Sequence, residues 1–465
     1  MRNACRWLAS VAALSATLVL PAQGQVRALV LDNVRVIDGT GAAPIEHGRI
    51  VIQGDRIAQV GTTLPLPPDA EILDLSGRTI VPGLIDLHFH IENDPKLALR
   101  QLSHGVTSFR DPGQWEEKFV ELRRMIAADG LAAPRIFTAG PHIDGEHPAY
   151  PADAVVARDP EEARRFAERN IDQGASSLKI YFRLPLASAR AVIDVCVARQ
   201  VPCTAHLEIL DARELLLAGL HGVEHITSLG PSLLPRVQRE TYRQAVLADN
   251  DARRDGRYEM FSHLQHDGPD AAALYEVLRA RHPWIDPTLA VFEQRATPPA
   301  GSTEHPSPAK TAMYVSGFAN MKRLAHRVAV EGARVVVGGH STVPFAARGE
   351  APLREMELLV ESGFTPLEVI PGGDGNGRRV SVSRSRPGYA AIRQARRSPG
   401  ARWRSHPQHR RDPHRAARDG RRPMGRHRAI PAILTLRYFT LTRPDRRRYN
   451  SRTREEAAWS RHSSP

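Results

Sequence analysis

Between Leu84 and Val337 the chain repeats one pattern eight times: a short apolar run, then an amphipathic stretch of helical period. The apolar runs are Leu84 to His90, Val106 to Arg110, Arg135 to Ala139, Ser177 to Phe182, Pro202 to His206, Val223 to Ile226, Trp284 to Leu289 and Arg334 to Val337. Helical segments separate them, among them Glu116 to Ala128, Pro160 to Gln173, Pro185 to Arg199 and Asp270 to Arg281. Short runs that stay apolar without alternating suit strands buried on both faces, as in a parallel sheet covered by helices. Eight β-α units in series predict an α/β fold of the (β/α)8 barrel type, which needs about 250 residues. An open doubly wound sheet would need fewer strands and a glycine-rich phosphate loop, and the sequence has no such loop.

The flanks differ in kind. Residues 1–24 read as a secretory leader, with Arg2 and Arg6 ahead of an apolar run from Trp7 to Leu20 and small residues at Pro21-Ala22-Gln23-Gly24. That run is shorter than the roughly 20 residues that span a bilayer, so the sequence predicts a cleaved leader, no membrane span, and a secreted or periplasmic protein. From Val26 to Thr79, alternating apolar and polar residues broken by Asp38-Gly39, Gly54-Asp55 and Ser76-Gly77 predict a small sheet for residues 25–80. Cys196 and Cys203, the cysteines left after the leader, are expected as buried free thiols. Residues 231–268 form a polar insertion, expected over the barrel mouth as a lid.

The net charge of +13 belongs to one region. Residues 371–465 hold 25 Arg, no Lys and 6 acidic residues, a net +19, so residues 1–370 are mildly acidic. Periodicity stops there while Arg, Pro, Gly and Ser rise together, the composition that GC-rich coding sequence gives in a shifted frame. The tail is therefore expected to be disordered and to contribute little to the fold. A polybasic arm for nucleic acid or anionic membrane is the rival reading. Trp403, Tyr438 and Phe439 stand too far apart for a base-stacking platform, and a secretory leader argues against genomic nucleic acid, so no nucleic-acid partner is expected.

In such a barrel the chemistry sits where the strands end. The polar residues ending the runs here are His88 and His90, Lys179, His206, His225 and His340. His88 and His90 are two apart on one strand and so leave the same face, as a pair of metal ligands must. A lysine among cations is tolerated if neutral, or if CO2 converts it to a carbamate anion that bridges two metals. This divides the set into His88 and His90 for one divalent ion, His206 and His225 for another, and carbamylated Lys179 between them. Two ions a few ångströms apart, roughly 3.5–4 Å, generate a hydroxide at neutral pH and polarise the bond it attacks. Hydrolysis of a C–N bond is the expected outcome.

VPGLIDLHFH, GVTSFRDPG, SLKIYF, CTAHLE, GVEHIT and LREMELLVESGFTPLEVI together resemble the metal-dependent amidohydrolase superfamily, in its imidazolonepropionase-like and Xaa-Pro dipeptidase-like branch, over about residues 26–370. The resemblance implies a barrel over residues 81–370 plus a small β-sandwich built from both chain ends. It also supports the ligand set His88, His90, Lys179, His206 and His225, with zinc as the ion. It further implies an aspartate at the end of the eighth strand as ligand and proton acceptor. This chain has Gly338-Gly339-His340 there, so His340 is the candidate catalytic residue, and an imidazole brings no negative charge. Asp111 and Asp286 also end strands, but each precedes a proline and reads equally as a turn residue. Tyr181 and Arg183 follow Lys179 and are candidates for a substrate carboxylate. The expected substrate is a small amide, cyclic amide or dipeptide, and the chain is a candidate homo-oligomer. A lactone or ester hydrolase on the same scaffold, or a catalytically impaired relative with a polybasic tail, is the alternative.

Overall fold

The computed structural model describes residues 27–370, apart from 92–94, 129, 131, 300, 301, 303, 304, 341 and 342. The expected leader and the Arg-rich tail lie outside the described residues. The described residues form two compact units, one of residues 27–36 with 44–79, the other of 37–43 with 80–370.

The first unit contributes four strands to a five-stranded sheet, β1 (Leu29–Val36), β2 (Ile45–Gln53), β3 (Arg56–Gly61) and β4 (Glu71–Asp74), in the order β3-β2-β1-β4. β1 and β2 pair antiparallel, whereas β1 and β4 pair in parallel. Alternation places Val30, Val34 and Val51 in the interior, while every side chain from Arg56 to Val60 on β3 is exposed. The C-terminal half of the sandwich that the resemblance implies concerns residues outside the described range.

The second unit is the barrel that the sequence predicts. Its eight strands are β5 (Leu84–Asp86), β6 (Val106–Asp111), β7 (Arg135–Thr138), β8 (Leu178–Ile180), β9 (Cys203–Ala205), β10 (Gly222–Glu224), β11 (Trp284–Asp286) and β12 (Arg334–Val335). Parallel pairing runs β5-β6-β7 and β8-β9-β10-β11-β12. Backbone bonds join these arcs, among them Ser176 N–H to Thr138 O at 2.9 Å and Leu87 N–H to Val337 O at 3.0 Å. A further short strand, His142–Asp144, follows β7 and pairs beside the end of β8. The strands are held by the helices packed outside them: Leu178, Ile180, Ala205 and Ile285 are fully buried in one cluster with helix residues such as Ala167 and Val192, and Phe89 packs edge-on to Phe109 with centroids 5.1 Å apart. Each such side chain contributes about 2 kcal/mol through lost apolar exposure.

The helices start and stop where local chemistry dictates. α1 (Pro160–Asp172) has Pro at its first position, and the Asp159 side chain accepts from Glu162 N–H. α2 (Leu186–Arg199) ends at Gln200 in a left-handed conformation. The polar insertion folds into α3 (Arg236–Ala248) and α4 (Ala252–Ser262), followed by exposed His263 and by His266, which meets Asn320 Oδ1 at 3.2 Å. Beyond β11 come α5 (Leu289–Ala296) and, after β12, α6 (Ala351–Glu361). Among the described residues no helix is long and apolar enough to cross a membrane.

Candidate metal centre

The strand ends bring five imidazoles into one continuous group. Ring centroids lie 5.2 Å apart for His88 and His90, 4.7 Å for His88 and His225, 4.5 Å for His206 and His225, and 5.2 Å for His88 and His340. His88, His90 and His340 each place a nitrogen within 4.8 Å of the others, and His88, His225 and the Glu224 carboxylate do the same. The backbone is strained at this rim. His225 (φ 64°), His340 (φ 62°), Glu208 (φ 34°) and the β-branched Thr288 (φ 47°) all occupy the left-handed region. Such conformations cost about 1–3 kcal/mol each and persist where surrounding structure holds them for a function.

In three of the imidazoles one nitrogen is pinned. Asp286 Oδ2 lies 2.8 Å from His88 Nδ1, Glu208 Oε2 lies 2.9 Å from His206 Nε2, and Thr288 Oγ1 lies 2.6 Å from His225 Nδ1. The opposite nitrogens His88 Nε2 and His206 Nδ1, and also His340 Nδ1, are buried without a hydrogen-bond partner. A buried polar atom left unpaired costs about 1–3 kcal/mol, and several converging lone pairs fit a divalent cation. Burial, then the nearby Lys179 and His90, push His88 well below the usual imidazole value, and burial pushes His206 down to about 4. Both shifts favour the neutral ring, the form that ligates.

The turn after β12 is built for close approach. Asp86 accepts from His88 N–H at 3.1 Å and from Gly339 N–H at 2.9 Å, and His340 N–H donates to His88 O. A Cβ on Gly339 would lie 2.5 Å from Pro352 N, so only glycine lets this turn seat His340 over the cluster.

Lys179 is buried with its ammonium 2.7 Å from Glu224 Oε2, while Arg110 reaches Glu224 Oε1 at 2.8 Å. Burial alone would raise the Glu224 carboxyl, but Lys179 and Arg110 outweigh it and hold the group below the usual carboxylate range. Glu224 thus stands at the junction of the two sets of imidazoles, where the sequence reading put a carbamate on Lys179.

The remaining candidates divide. Tyr181 joins the cluster, its ring 4.7 Å from His206 and 4.4 Å from His142. The Arg183 guanidinium is taken elsewhere, donating to Asn250 Oδ1 and to the carbonyls of Val246 and Leu247 at the end of α3. Asp111 acts locally, accepting from Gly113 N–H and from Ile91 N–H, which fixes the chain next to His90. Sequence reasoning passed over Glu224, Glu208, Arg257 and His142, and weighed Asp286 only as a turn. Glu224 and Asp286 do end apolar runs, the same signal that found the histidines. His142, buried with Nε2 unpartnered, sits on a short strand outside the eightfold pattern.

No family model matches the chain. It is 43% identical over 63 residues to an N-substituted formamide deformylase of Arthrobacter pascens, a stretch covering 13% of this chain and 11% of that protein. It is 35% identical over 66 residues to an imidazolonepropionase of Streptomyces griseus, covering 14% and 17%. The matched stretches thus span less than a fifth of these relatives' own lengths. Across the whole fold, the structure of a putative prolidase from Bifidobacterium longum superposes with a TM-score of 0.55 at 23% identity, covering 77% of this chain and 83% of that one. In stretches of sequence the chain is thus similar to a formamide deformylase and an imidazolonepropionase, and in fold it is similar to a prolidase. In this chain the eighth strand ends in His340 and not in a carboxylate, and the buried carboxylates nearest the imidazole cluster are Glu224 and Asp286, at the ends of the sixth and seventh strands.

Proposed function

We propose that the protein is a metal-dependent hydrolase that cleaves a C–N bond in a small amide, cyclic amide or dipeptide. The observation that carries this is the triad of His88, His90 and His340, whose facing nitrogens lie within 4.8 Å of one another, with His88 Nε2 and His340 Nδ1 buried and unpaired. These three residues would hold one cation, most simply zinc, and His206 and His225 would hold another. When bound, the ions supply Lewis acidity toward a carbonyl and lower the pKa of water toward neutrality. Tyr181, packed against His206, would orient the substrate, and the α3–α4 insertion would form part of the wall that limits water around it. His340 would serve through one nitrogen as a ligand, and the other nitrogen, which then carries the ring N–H, could donate a hydrogen bond to the substrate.

Between the two ions the sequence reading places a carbamate on Lys179. The 2.7 Å contact of Lys179 with Glu224 supports a second arrangement, in which Lys179 remains an ammonium and Glu224 is the bridging anion. A carbamate so near Glu224 would place two anions together, which is tolerated only with both cations present. Export by the leader and a fold that ends near residue 370 belong to the same reading.

Elemental analysis after zinc loading, with and without bicarbonate, tests it, together with hydrolysis of N-acyl amino acids, Xaa-Pro dipeptides and cyclic amides. The expected result is at least one tightly held ion per chain and turnover that chelation abolishes and zinc restores. Wild-type protein that binds no ion, or binds it equally well after His90→Ala, would overturn the reading. A bicarbonate requirement supports the carbamate; full loading without bicarbonate supports Glu224.

A further inference from the structure

The geometry points to Asp286 as the residue that positions His88 for the cation and supplies the negative charge that the donor set lacks. This inference rests on the metal centre proposed above. His88, His90 and His340 are three neutral donors, and a divalent ion held by them alone in a buried site would keep its whole charge uncompensated. Asp286 is 5% exposed, His88 is fully buried, and Asp286 Oδ2 lies 2.8 Å from His88 Nδ1. Glu224 Oε2 approaches the same nitrogen only to 3.7 Å and is already engaged by Lys179. The His88 proton is thereby placed on Nδ1, and Nε2, which has no other partner, keeps its lone pair for the ion. A carboxylate behind a ligating imidazole also makes that imidazole a stronger donor.

Two features show that the contact is built in. Asp286 O accepts from His225 N–H at 2.7 Å, so the strand end that carries the carboxylate also seats a residue of the second triad. On the other side, a Cβ on Gly338 would lie 2.0 Å from Asp286 Oδ1, so the chain runs past the carboxylate only because residue 338 is glycine. Asp286 Oδ1 is itself buried and unpaired.

Asp286→Asn removes the charge and keeps the shape. Gly338→Ala keeps the charge and forces a methyl group into the place of Oδ1. Zinc affinity is read by competition with a chromophoric chelator, and the cobalt-substituted proteins are compared by their visible spectra at saturation. For Asp286→Asn the expected result is affinity weaker by about 10- to 100-fold with an altered cobalt spectrum, while the circular dichroism of the metal-free protein is unchanged. Gly338→Ala should weaken affinity in the same direction. Zinc affinity and cobalt spectrum equal to wild type in Asp286→Asn would overturn the inference even where its melting temperature falls, since the residue would then be structural. Wild-type protein that binds no cation overturns it as well, along with the function it rests on, whereas a metal-binding wild type with an indifferent Asp286→Asn overturns this inference alone.

Discussion

Two carboxylate–imidazole pairs lie in one barrel mouth and are built in opposite senses. Asp286 meets His88 through Nδ1, leaving Nε2 free; Glu208 meets His206 through Nε2, leaving Nδ1 free. Glu208 is compensated within the protein. Arg257 Nε donates to both of its oxygens at 2.9 Å, and Tyr242 donates its hydroxyl to Oε1. Burial would raise Glu208, but Arg257 and the bond to His206 outweigh it and hold the carboxyl below the usual range. Asp286 has no such cation against it, and burial, then the neighbouring Glu224 and Glu355, drive it well above its ordinary value. Equal burial therefore gives opposite charge balance. A compensated pair is a finished structural joint, tying α4 to the strand-end His206, whereas the uncompensated pair would be completed by the cation proposed above.

The largest effect should come from breaking the finished joint. Arg257→Met retains the apolar stem and leaves Glu208 buried and unpaired, a change that costs about 3–5 kcal/mol. Denaturant unfolding should show this loss, and the Arg257→Met, Glu208→Gln double variant should recover much of it, because no buried charge then remains. A loss under ~1 kcal/mol for the single variant would mean that water reaches Glu208 and that the pair is a surface contact.

A third buried carboxylate separates burial from compensation. Glu355 on α6 accepts from Leu289 N–H at 2.9 Å and Ala290 N–H at 2.8 Å, capping α5. Burial lifts its carboxyl to about 8 despite those bonds. The native state therefore holds a proton that the unfolded chain, with a Glu value of ~4.3, has already released. Its contribution to stability is complete below about pH 4.3 and is lost as pH rises through about 8, with a slope of at most ~1.4 kcal/mol per pH unit. Asp86, lifted by burial to about 7, adds a slope of the same sign. The check is the difference between wild type and Glu355→Gln in unfolding free energy from about pH 5 to about pH 8, where the variant should show the flatter dependence. Parallel curves would place Glu355 ionised throughout, stabilised by the N-terminus of α5.

The barrel was legible because its strands are short, apolar and punctuated, and the clustered histidines because they end those strands. What stayed hidden depends on partners distant in sequence. Asp111-Pro112 and Asp286-Pro287 look alike locally, yet Asp111 caps the neighbouring turn while Asp286 meets a histidine 198 residues away. Nothing in the local sequence separates the two. Arg257 lies 49 residues beyond Glu208 in a polar insertion whose helices have little apolar face, so neither its helix nor its partner could be read in advance. Arg183 shows the converse: its place two residues past Tyr181 suggested the site, but the carbonyls ending α3 claimed its guanidinium. The function of the eighth strand end was half legible, since His340 falls at the expected position while the negative charge comes from strands six and seven.

The smallest effect tests whether the Glu208 joint depends on more than its cation. Tyr242→Phe deletes the hydroxyl that donates to Glu208 Oε1 and leaves the Arg257 bonds in place. The ring still packs against Tyr181 and Val246, so the cost is that of one hydrogen bond to a charged acceptor, about 1–2 kcal/mol. Zinc affinity at His88, His90 and His340 should not move, because that half of the mouth is balanced by Asp286 and not by Glu208. A Tyr242→Phe loss as large as that of Arg257→Met would make the hydroxyl the principal support of Glu208. A change in zinc affinity of the His88 triad would show that the two pairs are coupled through His206 and His225, whose rings lie 4.5 Å apart.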